Sequence, residues 1–181
     1  FFLWLRKIYQ LGANTFKGGR AGDRPSTSLS KSLSNLGFKL STLKTGTPVR
    51  VYKNSIDFTD LEEQPSQEDL SFSHSKPKKS LDKISCYLAY TNEKTKKIIE
   101  DNKDSSAIFS GAIVAKGPRY CPSIEDKVHR FSDKERHQIF VEPEGLYTQE
   151  CYLNGISTSL PYSVQLEMLK SIKGFENIRV S

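Results

Sequence analysis

Between Ile84 and Asn102 the chain changes its hydrophobic period. Ile84, Cys86, Leu88 and Tyr90 alternate, the two-residue repeat of a strand, which places Cys86 on its apolar face. Thr91 or Asn92 then caps a helix that runs to about Asn102, with Ile98 and Ile99 turned inward. Each such element has one apolar side to bury, so the chain must fold as a packed mixture of strands and helices. Other short segments repeat the theme. Residues 108–115 (IFSGAIVA), 138–142 (QIFVE) and 150–153 (ECYL) are strand candidates, and Phe38, Leu40, Val49 and Val51 suggest strands around a turn at residues 44–48. Leu29, Leu33 and Leu36 after Pro25, followed by Gly37, predict a short helix with a glycine stop. Pro161, at a first-turn position, opens a last helix whose stripe Val164, Met168, Leu169 and Ile172 ends at Gly174. Met168 in that stripe is core filler, not a cofactor ligand.

Composition bounds the class. The 181 residues fit one domain, or one and a part, and 36% hydrophobic with 27% charged residues suits a soluble protein with a core. No apolar run approaches the ~20 residues that span a bilayer, so no membrane association is expected. The opening FFLWL is cut short by Arg6 and Lys7 and lacks a signal-peptide layout, as if the chain were a piece of something longer. Three cysteines, Cys86, Cys121 and Cys151, form no C-x-x-C pair or zinc spacing, so free thiols are expected rather than disulfides or a metal.

The net charge of +6 hides a segregation. Residues 1–53 carry ten Lys/Arg and one acid (Asp23); residues 54–73 carry six acids and no base. Such a basic block can face phosphates or serve only as a solvated surface. The acidic stretch leads into residues 62–82, which lack a period and are expected to form a mobile surface loop. Gly18-Gly19-Arg20-Ala21-Gly22 allows close backbone approach to a phosphate, but it is neither a Walker A sequence nor a G-x-G-x-x-G fingerprint.

Residues 117–131, GPRYCPSIEDKVHRF, carry the chemistry. Ser123 and Asp126 form a capping-box pattern, after which Ile124, Val128 and Phe131 share one helical face. Cys121 therefore sits two residues before the cap, at the positive end of a helix dipole, with Arg119 nearby and Lys127 one turn inside. Those surroundings lower a thiol's pKa and favour a thiolate nucleophile. The alternative is a buried, inert cysteine beside a capped helix. Pro118 and Pro122 rigidify the loop. Cys86 and Cys151 are expected to be structural. His129, four residues after Glu125 and three after Asp126, is expected to pair with one of those acids on the surface. His137 is expected to orient the start of a strand, and neither histidine forms a recognisable dyad with Cys121.

These residues closely resemble the signature of the MnmG/GidA family of tRNA uridine 5-carboxymethylaminomethyl modification enzymes. GGRAGD (18–23), LKTGTPVR (43–50), TNEKT (91–95), HQIFVEPEG (137–145) and NGISTSLP (154–161) resemble the same family in the same order, from about Lys17 to the C-terminus. The resemblance implies an α/β fold: the central part of a glutathione-reductase-like FAD-binding domain with an inserted α+β subdomain. It implies residues 1–50 in the FAD-binding domain, 51–116 as the insert with loop 62–82, and 117–181 as the return to the FAD-binding domain with the cysteine loop.

The activity implied is FAD-dependent modification of C5 of the wobble uridine of certain tRNAs, fed by NADH and a folate-derived one-carbon unit. Cys121 matches a catalytic cysteine of the family, the other lying in the N-terminal flavin domain. Ser26 resembles a flavin-contacting position. The loop from Gly117, Pro118, Arg119 and Tyr120 through Pro122, Ser123, Ile124, Glu125, Asp126, Lys127, Val128, His129 and Arg130 to Phe131 resembles a dinucleotide-binding region. Arg119 and Lys127 are candidates for tRNA or phosphate contacts.

Implied partners are tRNA and an MnmE-family GTPase, with a homodimer in the full-length enzyme and a cytoplasmic location, or a mitochondrial or plastid one in a eukaryote. Departures bear on activity. The flavin fingerprint and the GTPase-docking helical region are absent, residues 1–16 match poorly, and Val49 stands where the family has a second proline. As a separate polypeptide the chain is expected neither to hold FAD nor to catalyse. Two other readings are a non-catalytic tRNA-binding module and a relative of the folate- and FAD-dependent tRNA methyltransferases; TNEKT and PRYCPSIEDK favour the first family over the latter.

Overall fold

A computed structural model describes residues 7–18, 24–44, 46–67, 74–75, 82–113 and 122–181, with the backbone alone for 7–10. The first elements, β1 (Lys7–Leu11) and β2 (Asn14–Gly18), form an antiparallel hairpin. Its two-residue turn uses Gly12 at φ 57°, the left-handed conformation that tight hairpin turns require. A side chain there would also collide with the Pro161 ring, its Cβ lying 2.9 Å from Cγ. The bare turn instead docks, Gly12 N donating to Ser159 O at 2.9 Å.

Helix α1 (Ser28–Asn35) ends as expected at Gly37, whose φ of 86° lets Phe38 N and Gly37 N turn back to Leu33 O and Ser34 O. Its leucine stripe is not buried, however. Leu29 is 46% and Leu36 75% exposed, and no residue of the helix is buried. No strand forms at Phe38 and Leu40.

The main unit is a five-stranded sheet built from β3 (Arg50–Tyr52), β4 (Glu62–Gln64), β5 (Cys86–Tyr90), β6 (Gln138–Pro143) and β7 (Glu150–Asn154). The order is β3-β7-β6-β5-β4, every neighbour antiparallel. Ser181 N adds a bond to Arg50 O, and Val180 bridges Val51 at the β3 edge.

Pairing Val51 with Cys151, Leu153 with Val141 and Ala89 with Ile139 lines one face with buried apolar side chains. Helices α2 (Glu93–Asp101), α3 (Ile124–Arg130) and α4 (Tyr162–Lys170) add Ile98, Ile99, Ile124, Val128, Met168 and Leu169 to the same core. Burying each such side chain contributes about 1.5–3 kcal/mol, which explains why helices this short hold their places.

The start of α2 shows how local and tertiary bonds combine. Asn92 Oδ1 accepts from Thr95 N at 3.0 Å and Thr95 Oγ1 from Asn92 N at 3.3 Å, a complete capping box. Asn92 Nδ2 also donates to Ser171 O at 2.6 Å, tying this cap to the end of α4.

The antiparallel sheet with its helices bears out the expected α/β class. Several local expectations need correction. Cys86 is on the outer side of β5, in register with Gln64, while Ala89 and part of Tyr87 face the core. The described part of 108–115 is a turn, not a strand: Ser110 N bonds Ser106 O, Ile113 N bonds Ala107 O, and Gly111 adopts φ 77°. The expected loop 62–82 begins with strand β4, which the β5 edge recruits despite its acidic side chains. Most of the rest of that loop lies outside the described residues.

Candidate functional site

Of the segment 117–131, Gly117, Pro118, Arg119, Tyr120 and Cys121 lie outside the described residues, as do Gly19 to Asp23 of the glycine-rich stretch. From Pro122 onward the geometry is defined. Ser123, 2% exposed, has extended backbone and its Oγ accepts from Asp126 N at 3.2 Å, capping α3 as the sequence predicts. The start of α3 thus follows Cys121 in sequence after Pro122 and the cap residue Ser123. Ile124 N finds a partner outside the helix, donating to Ser157 O at 2.8 Å.

Three motifs distant in sequence converge here. Gly46 packs so tightly on the Ser157 side chain that a Cβ would overlap it, so glycine is needed for close approach rather than for backbone freedom. Lys44 Nζ lies 4.0 Å from the Asp126 carboxylate, which also faces Arg130 at 3.9 Å. Lys127 Nζ donates to Gly155 O at 2.6 Å. Residues 43–50, 122–130 and 154–161 therefore form one cluster.

At its centre is Glu125, 2% exposed. Its Oε1 accepts from Thr158 Oγ1 at 2.8 Å, Ser159 N at 3.0 Å and Ser106 Oγ at 3.1 Å. Sequence reasoning placed Glu125 in the segment but missed this role. The available signal was its position beside Ile124, on the inward side of a helix, with a hydroxyl-rich Ser157-Thr158-Ser159 loop elsewhere.

The other side chains of α3 divide clearly. Ile124 and Val128 are core residues at 0% and 3% exposure. Phe131 does not share their face: it follows the helix and is 47% exposed, with Lys134 Nζ 5.5 Å from its ring centre. His129 does not pair with Glu125 or Asp126, because Glu125 points inward. It meets the Phe109 ring edge-on at 5.8 Å and has Lys103 Nζ 3.5 Å from Nδ1. His129, Lys103, Glu125 and Ser132 help line an open cavity of about 390 Å³ between α2 and α3.

His137 holds the start of β6. Its amide donates to Thr91 Oγ1 at 2.7 Å and its carbonyl accepts from Thr91 N at 2.9 Å. Burial, reinforced by Lys127, Lys134 and Lys96, keeps its ring below the usual histidine pKa. The two described cysteines are poor nucleophiles. Burial pushes the Cys86 thiol up, with Glu142 adding to it, and burial likewise raises Cys151, which is fully enclosed. Among the described residues no group of His, Cys, Asp and Glu could hold a metal, and no helix is long and apolar enough to cross a membrane.

The described residues supply part of an FAD site at most. Ser26 is exposed just before α1, whose cap residue Thr27 makes no side-chain bond, so amides there can meet a phosphate. The sheet, however, is antiparallel throughout and supplies no β–α–β crevice for a dinucleotide.

Comparison with known proteins places this cluster in context. The family model described as "Glucose inhibited division protein A" (GIDA) matches residues 4–181. The chain belongs to the GidA family. Among its GidA relatives, the tRNA uridine 5-carboxymethylaminomethyl modification enzyme MnmG of Protochlamydia amoebophila is 53% identical over 180 residues, covering 98% of this chain and 28% of that protein. MnmG of Chlamydia muridarum is 50% identical over 178 residues, covering 96% and 29%. The crystal structure of Aquifex aeolicus GidA superposes with a TM-score of 0.81 at 43% identity, covering 98% of this chain and 31% of that one. The chain thus spans less than a third of the length of the GidA relatives it matches.

Proposed function

We propose that this chain is the central part of an FAD-dependent enzyme that modifies C5 of the wobble uridine of tRNA, with Cys121 as a catalytic thiol. The observation that carries the reading is the match over residues 4–181 to a family whose curated relatives are named for tRNA uridine modification. The cluster of Gly46, Ser123, Lys127 and Ser157 supports it, because it joins three of the motifs that resemble that family. In this reading Ser123 and the amides of α3 favour the Cys121 thiolate, and Arg119 and Lys127 meet phosphate. The segment 117–131 contributes to a dinucleotide site, with the core positions Ile124 and Val128 shaping it from beneath. Ser26 contacts the flavin, which supplies redox chemistry when bound.

FAD and NADH are cofactors of the full-length enzyme, tRNA its substrate, an MnmE-family GTPase its partner, a homodimer its state and the cytoplasm its location. The sheet unit from Arg50 onward corresponds to the inserted α+β subdomain together with its return to the flavin domain. The chain alone is inactive.

The test is a chimera in which this chain replaces the matching stretch of the Protochlamydia relative. Restored wobble-uridine modification in a strain lacking the enzyme supports the proposal. A folded, flavin-bearing chimera without modification overturns it. Cys121→Ser in the chimera should abolish modification while flavin stays bound; retained modification would refute the role of that thiol.

A further inference from the structure

We infer that the cavity between α2 and α3 is a binding site for an uncharged ring with a cyclic amide edge, an N–H beside a C=O as in a uracil base, and that Glu125 Oε2 accepts from that N–H. The site uses neither the Cys121 thiol nor the flavin and goes beyond the proposed function.

Burial divides this cavity of about 390 Å³ into a floor and a rim. Ile99, Glu125 and Val128, all buried, form the floor, while Glu100 and His129 stand exposed at the rim with Lys103 half-buried beside them. The volume lies in the lower range of small-ligand sites. The two oxygens of the Glu125 carboxylate are used unequally. Oε1 is the hub that accepts from Ser106 Oγ, Thr158 Oγ1 and Ser159 N. Oε2 is buried as well, yet it has no hydrogen-bond partner among the described residues. Leaving a buried polar atom unbonded is costly, and native proteins rarely do so without a ligand, ion or water to meet it. A carboxylate oxygen only accepts, so the missing group brings an N–H or O–H.

The surrounding charges decide which donor fits. A cation is opposed by Lys103, whose Nζ lies 3.5 Å from His129 Nδ1 and 4.6 Å from the centre of the Phe109 ring. An anion is opposed by Glu125 itself and by Glu100 at the rim. An uncharged group that carries a donor and an acceptor side by side meets neither objection: its N–H reaches Oε2 while its carbonyl takes a bond from Lys103. A cyclic amide holds that pair on a rigid edge, so little freedom is lost on binding. Its flat faces suit the apolar side chains of Ile99 and Val128.

The experiment titrates uridine into the isotope-labelled 181-residue chain and follows backbone amide shifts by NMR. Uridine should shift the amides of Ile99, Val128 and His129 in a saturable way, with a Kd on the order of 1 mM for so small a ligand. The same nucleoside methylated on its ring N–H leaves Oε2 unbonded and should bind about tenfold more weakly or worse. Glu125→Gln separates hydrogen bonding from shape. The three donors hold the amide oxygen where Oε1 stood and so place the NH2 group where Oε2 stood, turning an acceptor into a donor. This variant should keep the fold and lose the preference for uridine over its methylated form. Lys103→Ala should weaken uridine by about threefold or more.

A further arm identifies the source of the ring. Binding of the trinucleotide UpUpU about tenfold more tightly than uridine assigns the ring to an RNA strand, and equal binding assigns it to a free small molecule. The site is overturned by the absence of saturable shifts at the cavity, by equal binding of the two nucleosides to the unsubstituted chain, or by a Glu125→Gln variant that keeps the preference. Tighter binding of methylguanidinium or of nicotinamide overturns the choice of ligand. If Glu125→Gln does not fold, the two nucleosides on the unsubstituted chain, with Lys103→Ala, decide the matter. None of these readouts involves Cys121, so a failure of the proposed function leaves them unchanged.

Discussion

Lys127 Nζ donates to the carbonyl oxygen of Gly155 across 2.6 Å, joining the helix after the cysteine segment to the turn after β7. That carbonyl is presented by a backbone with φ of 102°, and a Cβ on Gly155 would lie 2.7 Å from Gln138 O. Both strain and overlap oppose any side chain there. Gly155→Ala should lower unfolding free energy by about 1–3 kcal/mol in urea titrations. A variant as stable as the unsubstituted chain would show that the turn relaxes freely.

Asn92 caps α2 and also holds Ser171 O. Replacing a cap residue with alanine costs about 0.5–2 kcal/mol, and here a partly buried tertiary bond goes as well. Asn92→Ala should therefore fall at or above the upper end of that range, whereas Asn92→Asp, which keeps the cap acceptor, should lose less. Equal losses in the two would deny the cap acceptor any separate role, and an Asn92→Asp variant as stable as the unsubstituted chain would deny one to the amide.

Leu153 is fully buried at the middle of the sheet, opposite Val141. Leu153→Ala should cost about 2–5 kcal/mol, through lost burial and the cavity left behind. Calorimetry or denaturant titration would read the change directly.

The His137 ring is held below its ordinary pKa, first by burial and then by Lys127, Lys134 and Lys96. The folded state therefore prefers the neutral ring. Well above pH ~6.5 neither state binds the proton, so the group costs nothing there. As pH falls below that value the unfolded chain protonates first, and stability declines. His137→Gln keeps the backbone bonds to Thr91 and should show a smaller loss of melting temperature between pH 7 and 5.5. Parallel pH profiles would assign the acid sensitivity elsewhere.

Arg24, Lys31 and Lys39 stand exposed on the basic N-terminal stretch. If that surface meets tRNA, affinity should fall by about tenfold or more between 50 and 200 mM salt, because each phosphate contact releases counterions. A filter-binding titration checks this, and no binding at low salt would remove tRNA contact from this piece of the surface.

What was legible in the sequence was whatever carried its own periodicity or cap. Gln138–Pro143 and Glu150–Asn154 alternate, Asn92 and Ser123 precede helical runs, and Gly37 and Gly174 stop them. Decisions made by partners were not legible. Leu88 and Ala89 are both buried, on opposite sides of β5, so alternation alone could not say which side met the core. Residues 62–64 gain strand form only from the β5 edge, and charged side chains are suited to an outermost strand. The apolar run from Ile108 was diverted into a turn beside Ser106, whose hydroxyl belongs to the Glu125 hub. For the site, motif spacing marked the segment, but the convergence of Gly46, Glu125 and Ser157 is a tertiary fact.

The sheet order has a consequence for biogenesis. β3 is made early, yet its ladder partner is β7, about a hundred residues later, and its other edge is met by residues 179–181. While a ribosome is still building the intervening chain, β3 therefore has neither of these neighbours. Long-range pairing of this kind makes folding slow and leaves nascent strands exposed to wrong partners. The unit can close only after residue 154 has cleared the exit tunnel.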